Sequence, residues 1–343
     1  MSERSHHPLH VSLLALPDAV VSTLAGIFDV LRAAGNLGHF DNVDQFDGAV
    51  GSFQVEIVGE RAEPLMLASG VPMQVQRSIY DVEETDIVIV PSVLLVKNQW
   101  EKNRYPQLQH WLQEMHKRGA IICSACSGVF LLAETGIFDN REATVHFGYA
   151  DSFAKHFPAV TIYPEQVLVV SGERDELVSS GASMSWHDLV LYLIARFAGA
   201  THAQEVAHRF ALQWHQEGLT PFMIFEGKSD HGDAAIQVAQ QWLVKNFAIA
   251  NAVEKMIASS ALAERTFKRR FTAATGITPI AYVQRLRIEE AKRRLERTQV
   301  AIDEISWRVG YEDAAFFRRI FKRTTGLTPG AYRKRFCIPE FAR

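Results

Sequence analysis

The reactive side chain that stands out in this sequence of 343 residues is a thiol. In the stretch IICSACSGVFLLAETG, an apolar run ending at Ser124 passes through small residues straight into a helix-like segment, Gly128 to Glu134, and Cys126 lies at the junction. A strand turning abruptly into a helix lifts the side chain at the turn to the carboxyl edge of its sheet. The amino end of the following helix then points at the sulfur and would favour a thiolate. Open parallel sheets bind ligands at that edge. Ser127 belongs to the same candidate pocket, and His146, after Ala143-Thr144-Val145, is the natural imidazole to approach the sulfur. Three readings stay open: a ligand pocket without turnover, a working cysteine hydrolase or amidotransferase-like enzyme, and an inert buried cysteine. Cys123 and Cys126 also spell C-x-x-C, but Cys123 falls inside a strand and no second pair exists, so a structural zinc site lacks ligands. No metal and no cofactor is expected. His110, His116, His187, His202, His208 and His215 are scattered along the chain.

A second kind of chemistry lies in the charge distribution. Residues 251–343 carry 20 Lys and Arg against 10 Asp and Glu, while the rest of the chain carries 16 against 29, so a net charge of −3 conceals a basic segment joined to an acidic one. A polyanionic partner for the basic segment follows. The same segment repeats itself: Phe267, Arg269, Phe271, Thr275, Gly276, Thr278, Pro279, Ala281 and Tyr282 recur fifty positions on, from Phe317 to Tyr332. Each copy reads as a short amphipathic helix (Val253 to Ala258, Ile302 to Val309), a turn, and a second helix with two Phe at i, i+4 facing inward. The opposite stripe presents Arg265, Lys268, Arg269 and Thr272 in the first copy, and Ala315, Arg318, Arg319 and Lys322 in the second. Gly276 and Gly326 end these helices, and Thr-Pro starts the next. Between the copies, Pro279 to Arg297 is one helix of ~28 Å. A spacer of that length can set two recognition helices about one DNA turn, ~34 Å, apart.

The elements needed to position the thiol read as alternating strands and helices. Strands are expected at Val11 to Leu16, Phe53 to Val58, Asp86 to Pro91, Ala120 to Ser124, Val167 to Val170 and Leu177 to Ser180. Helices are expected at Ser22 to Ala34, Gln107 to Lys117 and Ser183 to Phe197. That pattern implies an α/β domain with an open, mostly parallel sheet covered on both faces. The polar stretch Gly227 to Asp233 marks the boundary, beyond which everything is helical. The expected organisation is thus residues 8–226, a linker at 227–233, and an all-α domain with two helix-turn-helix units at 234–338.

On these residues the chain resembles two families. Residues 235–336, and above all IDEISWRVGYEDAAFFRRIFKRTTGLTPGAYRKRF, are similar to the AraC/XylS regulators. The resemblance implies that the helix after each turn enters the major groove, with Arg265, Lys268 and Arg269, and Ala315, Arg318 and Arg319, in contact with bases or phosphates. Arg reads guanine by a bidentate pair, whereas Ala315 offers only a methyl contact to thymine. Residues 10–200 resemble the ThiJ/PfpI group of the flavodoxin-like, class I glutamine amidotransferase-like fold, with Cys126 at the nucleophile elbow and His146 at the family's histidine. Enzymes of that group place a carboxylate near the cysteine from the segment after the first strand. Here the segment reads Val21-Ser22-Thr23, and Asp18 lies earlier. The combined resemblance implies a transcription regulator, not an enzyme, that answers to a small nitrogenous effector. The partners it implies are double-stranded DNA, a second copy in a homodimer, and RNA polymerase as a further candidate.

Other features bound the reading. No apolar run reaches the ~18 residues of a membrane span, so no membrane partner is expected. The amino-terminal stretch Val11 to Leu16 is too short for a signal-peptide core. Three cysteines cannot form a disulfide framework, which points to a reducing compartment, the cytoplasm.

Overall fold

The computed structural model describes residues 8–35, 53–97, 99–227 and 230–342. The chain divides into two compact units, Met1–Leu219 and Thr220–Arg343.

The first unit is built on a seven-stranded sheet: β1 (Leu9–Leu14), β2 (Phe53–Gly59), β3 (Arg77–Ser78), β4 (Ile87–Val90), β5 (Ile121–Ala125), β6 (Leu168–Ser171) and β7 (Leu177–Ser180). Their spatial order is β6-β7-β5-β4-β1-β2-β3. Every pairing is parallel except β6 with β7. β4 reads IVIV and is buried throughout, as a central strand covered on both faces requires. Among the described residues the helices of this unit are α1 (Val21–Ala34), α2 (Pro106–Lys117), α3 (Val129–Glu134), α4 (Ala150–His156), α5 (Trp186–Phe197) and α6 (Ala200–Arg209). α1, α5 and α6 pack together as one group, α2 and α3 as another. The chain leaves β1 towards β2 on one side and returns to β4 on the other. The carboxyl ends of β1 and β4 therefore flank the topological switch point, where such sheets bind ligands.

The expected open, mostly parallel α/β sheet is what the structure has. One element starts later than expected: α5 begins at Trp186, not Ser183. Residues 181–185 form a turn instead, in which Ser185 Oγ accepts from Ala182 N at 3.1 Å. That turn leaves Ser183 free to face another loop.

The second unit is entirely helical among its described residues: α7 (Ala234–Asn246), α8 (Ala252–Ser259), α9 (Glu264–Thr275), α10 (Pro279–Arg297), α11 (Ile302–Arg308), α12 (Ala314–Thr325) and α13 (Pro329–Phe336), with a final turn at Glu340–Ala342. It has two separate cores. One holds Leu243, Met256, Phe267, Phe271 and Tyr282, the other Leu295, Ile305, Phe317, Phe321 and Tyr332. The unit begins seven residues before the polar stretch read as the linker, because residues 220–226 pack on it. Phe222 meets Phe336 edge-on at 5.2 Å, Phe225 meets Tyr282 at 5.0 Å, and Met223 O accepts from Lys292 Nζ at 2.6 Å. Lys228 and Ser229 of that stretch lie outside the described residues.

Candidate functional site

Cys126 directly follows β5 and has φ +52°, a left-handed conformation uncommon for a non-glycine residue and imposed here by the sharp strand-to-helix turn. The helix that follows is pressed against the end of β4. A Cβ on Gly128 would lie 2.4 Å from Pro91 O and 2.6 Å from Val90 O, so the turn closes only with glycine there. Ser127 ties the same turn to the next loop: its hydroxyl donates to Val93 O at 2.6 Å and accepts from Val93 N at 2.9 Å. The loops after β1 and β4 are laced together as well, by Val20 N to Ser92 O (2.8 Å) and Leu94 N to Asp18 O (2.9 Å).

The surroundings of the sulfur are hydroxyls. Cys126 Sγ lies 3.7 Å from Ser183 Oγ, and Ser92 also offers its hydroxyl to the thiol. Ser92 Oγ accepts in turn from Thr23 Oγ1 at 3.2 Å. Thr23 stands in the segment where the family's enzymes carry a carboxylate. Asp18 is committed elsewhere: Tyr105 donates to it at 2.6 Å and Arg104 Nη2 at 3.0 Å. This pair borders a cavity of about 350 Å³ at the carboxyl ends of β1 and β2, lined by Leu16, Pro17, Gly59, Arg104 and Tyr105 among others.

The expectation of a thiolate at Cys126 is not what this environment supports. Burial pushes the thiol pKa up, and the hydrogen bonds from Ser183, Ser127 and Ser92 only offset part of that. The residue is 2% exposed, and the loss of water outweighs the dipole of a helix only six residues long. His146 is half-buried. Its Nδ1 accepts from Gly148 N at 3.0 Å within its own turn, and its ring stacks on Phe147 at 4.3 Å and leans on Tyr149 at 5.4 Å. Burial lowers its pKa, so the imidazole is neutral. Tyr149, on which the His146 ring leans, is also near the sulfur: its pKa is raised by burial and then by the nearness of Cys126. The arrangement can seat a neutral thiol and hydrogen-bond a polar ligand. Among the described residues it offers no carboxylate to manage a proton.

Sequence reasoning named Cys126, Ser127 and His146 as the pocket and did not name Thr23, Ser92, Ser183 or Tyr149 among its members. Ser183 is 57 positions from Cys126, and no local signal connects them. Ser127, expected in the pocket, also holds the next loop by its backbone.

In the second unit the two copies match in atomic detail. Gly276 and Gly326 end α9 and α12 at φ +79° and +77°. Thr278 and Thr328 cap α10 and α13 by accepting from Ala281 N at 3.3 Å and Ala331 N at 3.2 Å. Phe271 meets Tyr282 edge-on at 5.3 Å, and Phe321 meets Tyr332 at 5.4 Å. With the Phe pairs buried, Arg265, Lys268 and Arg269 of α9 and Ala315, Arg318 and Arg319 of α12 are all exposed, as the helical spacing predicts. The copies differ in how those cations are held. Lys268 pairs with Glu264 on its own helix, while Arg318 reaches Asp303 on α11 and Arg319 lies over the Phe316 ring. Arg265 and Arg269 have no ion pair among the described residues.

Comparison with known proteins bears out both resemblances. Residues 30–195 match the DJ-1/PfpI family and residues 257–335 a helix-turn-helix domain. The chain is 27% identical over 225 residues to the HTH-type transcriptional regulator CdhR of Pseudomonas aeruginosa, covering 62% of each chain. It is 25% identical over 214 residues to the HTH-type transcriptional regulator ArgR of the same organism, covering 62% of this chain and 64% of that one. With the HTH-type transcriptional regulator GlxA of Rhizobium meliloti the identity is 24% over 212 residues, 60% of this chain and 63% of that one. The chain thus spans somewhat less than two thirds of the length of the curated relatives it matches. Among the described residues no helix is long and apolar enough to cross a membrane.

Proposed function

We propose that this chain, which joins a DJ-1/PfpI-family domain to a helix-turn-helix domain of the AraC type, is a sequence-specific DNA-binding transcription regulator. The observation that carries the reading is the doubled helix-turn-helix, each copy closed over its own Phe-Phe-Tyr core and turning a basic stripe to solvent. Cations on a helix held this way can read base edges, and the rest of the +10 charge of residues 251–343 addresses phosphates. In the first unit, the elbow around Cys126, beside the switch point, serves as the pocket for a small nitrogenous effector. The elbow cysteine and the histidine of the enzymes are kept there, and among the described residues no carboxylate lies against the thiol. A homodimer and a contact with RNA polymerase belong to the same reading, carried by the resemblance and not by a particular surface.

The test is selection of binding sites from a random DNA pool by the whole protein, followed by titration at several salt concentrations. Enrichment of one motif and a steep fall of log K with log salt are expected. A pool that stays random while binding persists would leave only a nonspecific polycation. For the pocket, a turnover assay on amides and aldehydes decides. Robust turnover lost in Cys126→Ser would replace the sensor by a cysteine-dependent enzyme with a DNA-binding appendage.

A further inference from the structure

α10 carries Arg287 near its middle, and the side chain is not turned to solvent. Its guanidinium donates to three backbone carbonyls: Nε to Phe247 O at 2.8 Å, Nη2 to Ile249 O at 3.1 Å, and Nη1 to Gly310 O at 2.7 Å. Phe247 and Ile249 lie in the turn between α7 and α8, in the first copy. Gly310 lies in the turn between α11 and α12, in the second. The guanidinium also sits 5.2 Å from the centre of the Tyr311 ring. Burial pulls its pKa down, and no carboxylate is among these contacts. The planar fork of arginine can reach three acceptors at once, which lysine with its single nitrogen cannot do in this geometry.

The two turns also touch directly. Gly310 has φ +92°, and a Cβ there would fall 2.4 Å from Ala248 O and 2.9 Å from its carbonyl carbon and Cα. Ala248 is the residue between the two carbonyls that Arg287 holds. The cores of the two copies share no residue. The mutual placement of α9 and α12 therefore depends on α10, on this junction and on residues 222–225, which lie against both copies, because a helix alone resists bending but leaves each copy able to rock about its end.

We propose that Arg287, with Gly310 beside it, is a positioning residue that locks the two helix-turn-helix copies in one relative orientation and so sets the half-site spacing the protein accepts. The inference rests on the DNA-reading function proposed above. Inserting one base pair between half-sites displaces the second by ~3.4 Å and turns it by about 35° around the axis. A locked pair of recognition helices cannot follow that change, whereas an unlocked pair can.

The experiment takes the motif selected by the whole wild-type protein and varies it in two ways: spacers one or two base pairs shorter or longer, and single substitutions within each half-site. Affinities are measured for the wild type, Arg287→Gln, Arg287→Lys and Gly310→Ala. For the wild type, one base pair of spacer change should cost about tenfold or more, the scale of a lost base contact. Arg287→Gln and Gly310→Ala should reduce that penalty to about threefold or less while the half-site substitutions keep their cost; Arg287→Lys should fall between. A spacing penalty unchanged in folded variants overturns the proposal. So does a loss of helical circular dichroism in all of them, which would make Arg287 a folding residue only; Gly310→Ala keeps the question open to measurement if Arg287→Gln alone unfolds. Failure of the parent reading is seen earlier and separately, as a wild type that selects no motif.

Discussion

Burial raises the Cys126 thiol above the ordinary cysteine range, and protonation linked to folding turns that into a stability effect. Above about pH 8.5 the unfolded chain has released a proton that the folded chain keeps, so stability falls as pH rises from there. Cys123, wholly buried, acts in the same direction, so the difference between wild type and Cys126→Ser isolates Cys126. The urea midpoint of the wild type should fall more steeply between pH 8 and 10 than that of Cys126→Ser, and alkylation by iodoacetamide at pH 7 should be slow. Equal slopes would mean a thiol that burial leaves unshifted, and rapid alkylation of Cys126 itself, as opposed to the partly exposed Cys337, a poised thiolate. The cations of the recognition helices differ at the same scale. Arg269 has no ion pair to break among the described residues, whereas Arg318 must leave Asp303. Arg269→Ala should cost about 1–3 kcal/mol and relax preference at one base pair, while Arg318→Ala should weaken all sequences alike. Equal specificity losses at both half-sites, measured by anisotropy on the selected motif, would remove that distinction. The elbow was legible in the sequence because strand, small-residue turn and helix are written consecutively. Its hydroxyl lining was not, since Ser92 and Ser183 arrive from distant loops.

Elements show the repeat most plainly, and also where it breaks. Both recognition helices end on a left-handed glycine and are followed by a Thr-capped, Pro-started helix, all of which follows from residue types at fixed offsets. Their amino ends are unlike. Asp313 Oδ1 accepts from Ala315 N at 2.7 Å and Phe316 N at 3.1 Å at the start of α12. Ala263, extended at φ −61° and ψ 140°, has no side chain to do the same for α9. Ala263→Ser should stabilise the second unit by about 1 kcal/mol, and Asp313→Ala should cost a similar amount. Urea unfolding of both variants checks the pair; if neither moves the midpoint, the caps add nothing to these helices. The late start of α5 belongs here too. Periodicity extends an apolar helix back to Ser183, but Ser185 bonds locally to Ala182 N and holds the preceding residues in a turn. That competition between side chain and backbone is what brings Ser183 to Cys126.

The two units meet in sequence at Leu219 and Thr220, and the residues just beyond that point decide what an isolated DNA-binding fragment must contain. The polar composition of Gly227 to Asp233 suggests a cut there, because composition reports solubility and not which helix a short segment lies against. The structure ties residues 222–225 to both copies. Phe222 rests between Phe336 and the Arg335 guanidinium, which is 5.1 Å from its ring. Phe225 packs on Tyr282, with Arg285 at 5.3 Å. Between them, Met223 O accepts from Lys292, a lysine 4% exposed whose other partner is Glu289 at 3.0 Å. Burial raises the Glu289 pKa against the pull of that lysine, so the pair is poorly solvated and depends on its protein contacts. Removing residues 220–232 strips two half-buried aromatic rings and leaves a buried ammonium short of an acceptor. The combined cost is about 2–4 kcal/mol, a large share of the ~5–15 kcal/mol that holds a domain together. A fragment starting at Thr220 should therefore unfold at clearly higher urea than one starting at Asp233. Where both are folded, their salt slopes on DNA should agree closely, since the cations of α9 and α12 are present in each. Coincident urea midpoints would show that the segment merely lies on the helices without stabilising them.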